Sequence, residues 1–485
     1  MIRLNMASLI SAALTSGLRV ILPVVQHSTR KEWLRVSDKF HPPSRRHHHV
    51  GDITVGVDEA YQNRADDYFR RFVPKGLLNV LGVSNIGEVD VGRHTECKVS
   101  VVFMDIRNFT TISEALTSEE TFELINRFLG LAIPIIDRHG GIIDKFMGDA
   151  IMAIFPNDSD EALLAISEIM RGLRSLELPA QVDGPLSVGA GINTGFVMLG
   201  ALGNYQRMEV TVVGDAVNLA SRLESLNKTY GTTCLISEAT LTSLESPAQF
   251  SLRMIDRIKV KGKFRPQSIY ELTDVYLEEK AQGISSNGVA FENALANFHM
   301  DNVEKAYSLF QTCVDASPDD HVAQIYVERC QRFLQGGPLD SLSESSYDVV
   351  WKDDFNVHIQ SVDDEHQQLL ANVNKVVQLV REEDGEGLPV VLDFLRDYTA
   401  EHFRNEERLM QQYGYPYLSV QQHEHSRFIE YFNFVREEIE SGKHDKLYLL
   451  FKIDIFLMDW LINHTTGSDK HMGKWLIKAG CQQTA

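Results

Sequence analysis

Two apolar runs, each with an aspartate beside it, set the terms for residues Val101–Phe155. One is VVFMDIRNFT around Asp105; the other is DKFMGDAIMAIF around Asp149. Large apolar residues in short runs read as buried strands, and each carboxylate stands where a run meets polar chain. Between them, Ser118 to His139 carries Phe122, Ile125, Phe128, Leu129, Ala132 and Ile136 at helical spacing. The Gly140-Gly141 pair supplies a stop. One strand-end aspartate is commonly a plain turn carboxylate. Two hard oxygen donors brought together by a strand–helix–strand passage suit a divalent cation held against phosphate. After Asp105, Arg107-Asn108-Phe109-Thr110 reads as a turn into a helix, with the amides of Phe109 and Thr110 placed to receive phosphate oxygens.

A chain of 485 residues is too long for one core, so two or three domains are expected. A net charge of −20 argues against a nucleic-acid partner, although a nucleotide site can still be locally basic. The five cysteines (Cys97, Cys234, Cys313, Cys330, Cys481) form no CxxC pair and read as free thiols in a reducing compartment.

Residues 1–57 read as an N-terminal segment and linker. Met6–Val25 is mostly apolar but contains Arg19, and a central arginine is costly in a bilayer. The stretch fits a short membrane anchor or a helix packed on another chain, with the rest of the protein cytoplasmic. The His47-His48-His49 run reads as solvated linker. Within residues 58–92, the spacing turns helical from Asp58 to Leu81, with Tyr61, Ala65, Tyr68, Phe69 and Phe72 in pattern. This segment fits a dimerising signalling helix or one packed on its own domain.

Residues 93–275 alternate strands and helices. Expected strands are Lys98–Met104, Ile142–Phe146, Ala150–Phe155, Leu186–Asn193, Val197–Ala201 and Glu209–Val213. Expected helices are Ser118–His139, Asp160–Leu176 and Asp215–Leu226. Within residues 276–346, Phe291–Leu334 reads as helix, turn, helix and resembles one tetratricopeptide-like unit, which cannot bury its own face alone. Gly336–Ser346 reads as a flexible link. Residues 347–485 hold four helical stretches, about His366–Val380, Pro389–Gln412, Ser419–Ser441 and Lys446–His464, that suit an up-down bundle.

A third motif joins the two aspartate runs: Thr211-Val-Val-Gly-Asp-Ala-Val-Asn-Leu-Ala-Ser-Arg222. Together, from about Cys97 to Leu272, these resemble the catalytic domain of class III adenylyl/guanylyl cyclases. The resemblance implies an α+β ferredoxin-like sheet and conversion of a nucleoside triphosphate to a cyclic nucleotide and pyrophosphate. It implies that Asp105, Asp149 and the carbonyl of Ile106 hold two Mg²⁺ or Mn²⁺. Arg222 would meet the phosphate in the transition state, Asn218 the ribose and Lys261 the terminal phosphates, with Lys263 a weaker candidate. Lys145 and Thr211 would face the purine edge. A lysine donates to adenine N1 and a threonine hydroxyl accepts from N6, so ATP is the expected substrate. The alternative is guanylate cyclase activity. In the family, metal and purine contacts come from opposite partners; one chain carrying both sets implies a homodimer. A nucleotide-binding scaffold without turnover would have lost a metal aspartate or the arginine.

In the C-terminal stretch, Trp351 and the motifs DDEH, HFRNEE, YGYP and WLINHTTGSDK resemble the bacterial haemerythrin family. That implies non-haem iron, as a di-iron centre able to bind O₂, held by His366, His402, Glu406, His425, His464 and Asp469. Gln421 stands where the family places another histidine, which leaves one iron short of a ligand. His464 and Asp469 are five apart, so the helix must end or bend between them. The fusion implies a cyclase modulated by an O₂- or redox-responsive module; the alternative is an iron- or oxygen-binding module with no regulatory role.

Overall fold

The computed structural model describes residues 74–84, 86–156, 158–182, 184–259, 266–338, 349–382, 387–441 and 446–481. The chain divides into two units, Met1–Asp90 and Val91–Ala485. In the first, a helix covers Lys75–Val80. The apolar stretch Met6–Val25, the histidine run, most of the expected helix over 58–81, Lys261, Lys263 and residues 339–346 of the expected link lie outside the described residues. No described helix is long and apolar enough to cross a membrane.

The second unit opens with β1 (His94–Ile106), α1 (Phe109–Ala115) and α2 (Ser118–Arg138). Thr117 starts α2 with a capping box: the Glu120 amide donates to Thr117 Oγ1 (3.2 Å), and the Thr117 amide donates to Glu120 Oε2 (2.8 Å). The buried stripe of α2 is Leu124, Phe128, Ala132, Ile135 and Ile136. Phe122 was expected on that face but is 69% exposed, because two residues of helix turn it about 200° from Leu124.

There follow β2 (Ile142–Met147), β3 (Ala150–Phe155), α3 (Ser159–Leu173) and β4 (Val188–Asn204). The strand order β2-β3-β1-β4, with α2 and α3 as crossovers, is the β-α-β-β-α-β ferredoxin-like arrangement. The two strands expected over 186–201 are one continuous strand. Thr194-Gly195 reads as a break in the sequence, yet β1 pairs along the whole span from His94↔Gly200 to Ile106↔Val188. The Thr194 hydroxyl is satisfied inside the sheet by Ser100 Oγ at 2.7 Å.

The sheet continues through β5 (Arg207–Val213), which pairs with β4, then α4 (Asp215–Tyr230), β6 (Cys234–Ser237), β7 (Leu252–Ile258) and β8 (Gln267–Leu272). Helix α4 lies directly on β4. A Cβ on Gly191 would stand 2.2 Å from the Glu224 amide nitrogen and 2.4 Å from the Ala220 carbonyl, so only glycine permits this approach.

The expected helix–turn–helix connector is three helices: α5 (Gly288–His299), α6 (Val303–Ala316) and α7 (His321–Leu334). Their apolar faces join the core of the sheet domain. Arg253 of β7 pairs with Glu271 and with Asp320 at the head of α7, and Tyr326 donates to the Ile255 carbonyl at 2.8 Å. The unit thus buries its face on the sheet domain rather than standing alone.

The C-terminal helices are α8 (Gln360–Glu382), α9 (Gly387–Tyr413), α10 (Leu418–Glu440), α11 (Lys446–Ile453) and α12 (Lys470–Lys478). Between α11 and α12 the helix continues through two π-helical segments, Asp454–Asp459 and Thr465–Asp469, flanking Trp460–His464. A π turn bonds i to i+5 and so aligns residues five apart. The first segment turns Asp454 and Asp459 onto one guanidinium, that of Arg257 on β7. Burial opposes a charge there, but the two carboxylates hold Arg257 above its usual range. This grip, with Gln267–Asn463 (2.9 Å), seats the bundle on the sheet domain. The fold is therefore multidomain: an α+β sheet domain, a short helical connector and a C-terminal helical bundle.

Candidate functional sites

Strand β1 delivers Asp105 at its C-terminal end, and the β2–β3 turn delivers Asp149 beside it. Gly148, at φ +68°, makes that turn. Asp149 has its carboxyl pushed up to about 6 by burial and by the Asp105 carboxylate, against amides of Asp149 and Ile106 that favour the charged form. The nearest cation to Asp105 is Lys228 of α4, at 3.7 Å. Phe109 and Thr110 open α1, whose N-cap, Asn108, makes no side-chain cap. Arg107 turns away to Glu224, donating from Nη1 at 2.9 Å.

A second group lies on β2, β5 and α4. Lys145 pairs with Glu209 and stands 3.7 Å from Asp144 Oδ2. The Thr211 hydroxyl donates to Asp144 Oδ2 at 2.7 Å, and the Val212 amide donates to Asp144 Oδ1 at 3.2 Å. Asn218 and Arg222 are exposed, one turn apart on α4, and Arg222 Nη1 donates to the Lys259 carbonyl at 2.8 Å. Among the described residues, Lys145 pairs with Glu209 and Thr211 with Asp144, whereas Asp149 lies against Asp105, so the two groups have separate partners. Around the second group the hairpins expose Phe146, Met147, Leu202, Tyr205, Met208 and Val213.

The bundle gathers all six expected iron ligands and Gln421, every one buried. Their donor atoms form two clusters: His366, His402 and Glu406, and Glu406, His425, His464 and Asp469, each within 4.8 Å. Glu406 belongs to both. His366 Nε2 lies 3.5 Å from Glu406 Oε1 and 3.3 Å from Asp469 Oδ2; His425 Nε2 lies 3.4 Å from Glu406 Oε2. The second π segment brings His464 Nε2 to 3.0 Å from Asp469 Oδ1, which resolves the five-residue spacing without ending the helix.

These residues fit a cation. Glu406 Oε1 and Oε2, His366 Nε2, His425 Nε2, His464 Nε2, Asp469 Oδ2 and Gln421 Oε1 are buried without a hydrogen-bond partner. Burial opposes charge at His366, yet Asp469 and Glu406 raise it to about 9; His464 is raised to about 10 by Asp469 and Glu424 against the same penalty. The buried carboxylates thus favour a positive charge among these imidazoles. Gln421 Nε2 donates to Asp469 Oδ1 at 3.3 Å, which leaves its carbonyl oxygen buried and unpartnered.

Three acids that the sequence reading did not single out orient the rings. Glu365 meets His402 Nδ1 at 2.7 Å, Glu407 meets His425 Nδ1 at 2.9 Å, and Glu424 stands 3.0 Å from His464 Nδ1. Such outer carboxylates fix which nitrogen faces the metal. Each is adjacent in sequence to a ligand (Glu365-His366, Glu406-Glu407, Glu424-His425), which is the signal that marks them. Phe403 stacks on His425 at 3.9 Å and Trp460 on His464 at 4.4 Å.

Comparison with known proteins gives a family match for each of the two regions that hold these residues. Residues 91–274 match the model of the adenylate and guanylate cyclase catalytic domain, and residues 357–476 that of the hemerythrin HHE cation binding domain. The chain joins a cyclase catalytic domain to a hemerythrin HHE domain. A terminal-differentiation specific adenylate cyclase of Dictyostelium discoideum is 37% identical over 268 residues, 54% of this chain and 12% of that protein. An adenylate cyclase of Anabaena cylindrica is 40% identical over 214 residues, 42% of this chain and 43% of that protein. Among solved structures, the adenylyl cyclase CyaB from P. aeruginosa is 33% identical, covering 37% of this chain and 95% of that one, with a TM-score of 0.32. The chain therefore spans less than half the length of these two curated relatives.

Proposed function

We propose that the protein is an adenylate cyclase, converting ATP to 3′,5′-cyclic AMP and pyrophosphate at sites shared by two copies of the chain. The observation that carries this is the Asp105–Asp149 pair, two carboxylates crowded enough to raise Asp149 to about 6. The relatives named adenylate cyclase support the same reading. Two divalent cations held by Asp105, Asp149 and the Ile106 carbonyl would supply Lewis acidity at the attacking and departing oxygens. The ribose 3′-oxygen bonds to the α-phosphorus, its proton passes to solvent water, and the bond from the α-phosphorus to the oxygen bridging the α- and β-phosphates breaks, releasing pyrophosphate. Asn218 and Arg222 share an exposed face, so one side chain holds the sugar while the planar guanidinium meets the charge spreading over the phosphate. Lys145 and Thr211 face the purine. Phe109 and Thr110 lie beside the phosphates, and Lys261 is assigned to the terminal phosphates. The exposed apolar residues of the two hairpins flank the purine group, and a second copy covers them in this reading, completing each site.

A proton on Asp149 competes with metal, so affinity falls as pH drops below about 6. Mn²⁺ binding is expected to be about tenfold weaker at pH 5 than at pH 8. Calorimetric titration of the parent protein across that range checks it; Asp105→Ala removes the crowding but not the burial, so in metal-free protein an NMR titration should find the Asp149 carboxyl lowered only part of the way.

The HHE domain, in this reading, holds non-haem iron through His366, His402, Glu406, His425, His464 and Asp469, with Gln421 offering a neutral oxygen. A centre of that kind supplies a position for O₂ or another diatomic ligand. Modulation of the cyclase is supported by one contact path. Glu424, beside His464, also receives a hydrogen bond from Lys98 at 2.5 Å, and Lys98 lies on β1, the strand that ends at Asp105. Burial opposes the Glu424 charge, but Lys98 and His464 hold that carboxyl far below its usual range. Iron-loaded protein is expected to show at least a fivefold rate difference, in order of magnitude, between anaerobic reduced and air-exposed states. Lys98→Met should bring that ratio close to one with iron content unchanged. An unchanged ratio would remove Lys98 from the path.

A further inference from the structure

One residue beside Lys145 and Thr211 takes no direct part in that chemistry. Asp144 is the extra residue of a bulge in β2: Ile143 pairs with Ala153 and Lys145 with Met152, leaving Asp144 opposite nothing. A bulge re-aims a side chain. This one turns the Asp144 carboxylate, which has no solvent exposure, onto β5. There it accepts from the Thr211 hydroxyl at 2.7 Å and from the Val212 amide at 3.2 Å.

The geometry points to Asp144 as the positioning residue that fixes the polarity of the Thr211 hydroxyl, and so selects a purine with an amino group rather than a carbonyl at position 6. This rests on the cyclase reading. A threonine hydroxyl has one hydrogen and rotates, so by itself it donates or accepts with equal ease. Here the hydrogen is committed to Asp144 Oδ2. Only lone pairs of Thr211 Oγ1 remain for a ligand. The adenine N6 amino group donates to them; the guanine O6 carbonyl places lone pair against lone pair. Lys145, 3.7 Å from the same carboxylate, supplies the complementary donor for adenine N1. Asp144 thus orders the Thr211 half of the purine contact, while Glu209 is the nearer partner of Lys145.

The test is Asp144→Asn, assayed with ATP and GTP. The Val212 amide fixes which way the new side chain faces: its oxygen takes the Val212 N–H, and its NH₂ donates to Thr211. The hydroxyl hydrogen is then released toward the ligand. The ratio of kcat/KM for ATP over GTP is expected to fall by about tenfold or more, with the melting temperature little changed. In a Thr211→Val background, Asp144→Asn should leave the ratio alone, because there is no hydroxyl to turn. A merely structural Asp144 would lower turnover of both nucleotides equally, and an unchanged ratio in a folded, active Asp144→Asn variant overturns the inference. Should that variant not fold, the parent protein decides with purine riboside triphosphate, which keeps N1 and lacks the amine. Turnover about tenfold below that of ATP is expected; equal turnover overturns the inference. If the parent protein neither binds nor converts ATP, the cyclase reading falls and takes this inference with it. If the parent makes cyclic AMP and the ratio does not move, this inference alone falls.

Discussion

Asp105→Ala is expected to lower cyclic AMP formation by about 1,000-fold or more, with the fold and the iron content intact. Asp105 is half-buried at the end of β1, and its nearest cation is Lys228 at 3.7 Å, so its removal disturbs little packing. It does remove one of two carboxylates proposed to hold both cations. Lewis-acid stabilisation of developing phosphate charge is worth several kcal/mol, and about 4 kcal/mol corresponds to that loss. A melting curve beside the assay separates lost chemistry from lost structure. Turnover near the parent rate would remove the metal assignment.

The second large effect is expected at Glu406. It is the one residue common to both buried clusters, with Oε1 facing His366 and His402 and Oε2 facing His425. Its carboxyl sits well below the usual range despite burial, because the surrounding imidazoles favour its charge. Glu406→Ala therefore takes a ligand from each metal position at once. Metal content after loading with ferrous iron is expected to fall by about tenfold or more. The Asp105→Ala protein should load like the parent. Glu406→Ala protein that still holds two irons would contradict the shared-carboxylate arrangement. Gln421→His is expected to act in the opposite direction, since an imidazole replaces a neutral oxygen at the same buried position.

What the sequence revealed followed from local patterns. The two aspartate runs, the Gly140-Gly141 stop and the histidines of the bundle all mark themselves within a few residues. The missed features depend on contacts across the chain. Strands β7 and β8 carry Arg253, Asp256, Arg257 and Glu271, charged residues buried through ion pairs that include partners far along the chain, Asp320, Arg329, Asp454 and Asp459. Thr194 reads as a strand break until Ser100 is found opposite it. Phe122 matched the helical spacing yet lies off the stripe centred on Leu124 and Phe128, because a single apolar residue does not define a face. The π-helical turns were visible only as a spacing problem, five residues between His464 and Asp469. Asp144 stood in plain view beside Lys145, but nothing in the sequence shows the bulge that turns it onto Thr211.

The shared site is tested most directly by mixing two inactive variants, Asp105→Ala and Arg222→Ala. Each subunit of a mixed dimer carries the group the other lacks, so one of its two sites is whole. With random exchange, half the dimers are mixed, and about a quarter of the parent rate of cyclic AMP formation is expected to return. A mixture that exchanges subunits and stays as inactive as its components would contradict an active site built from two copies of the chain.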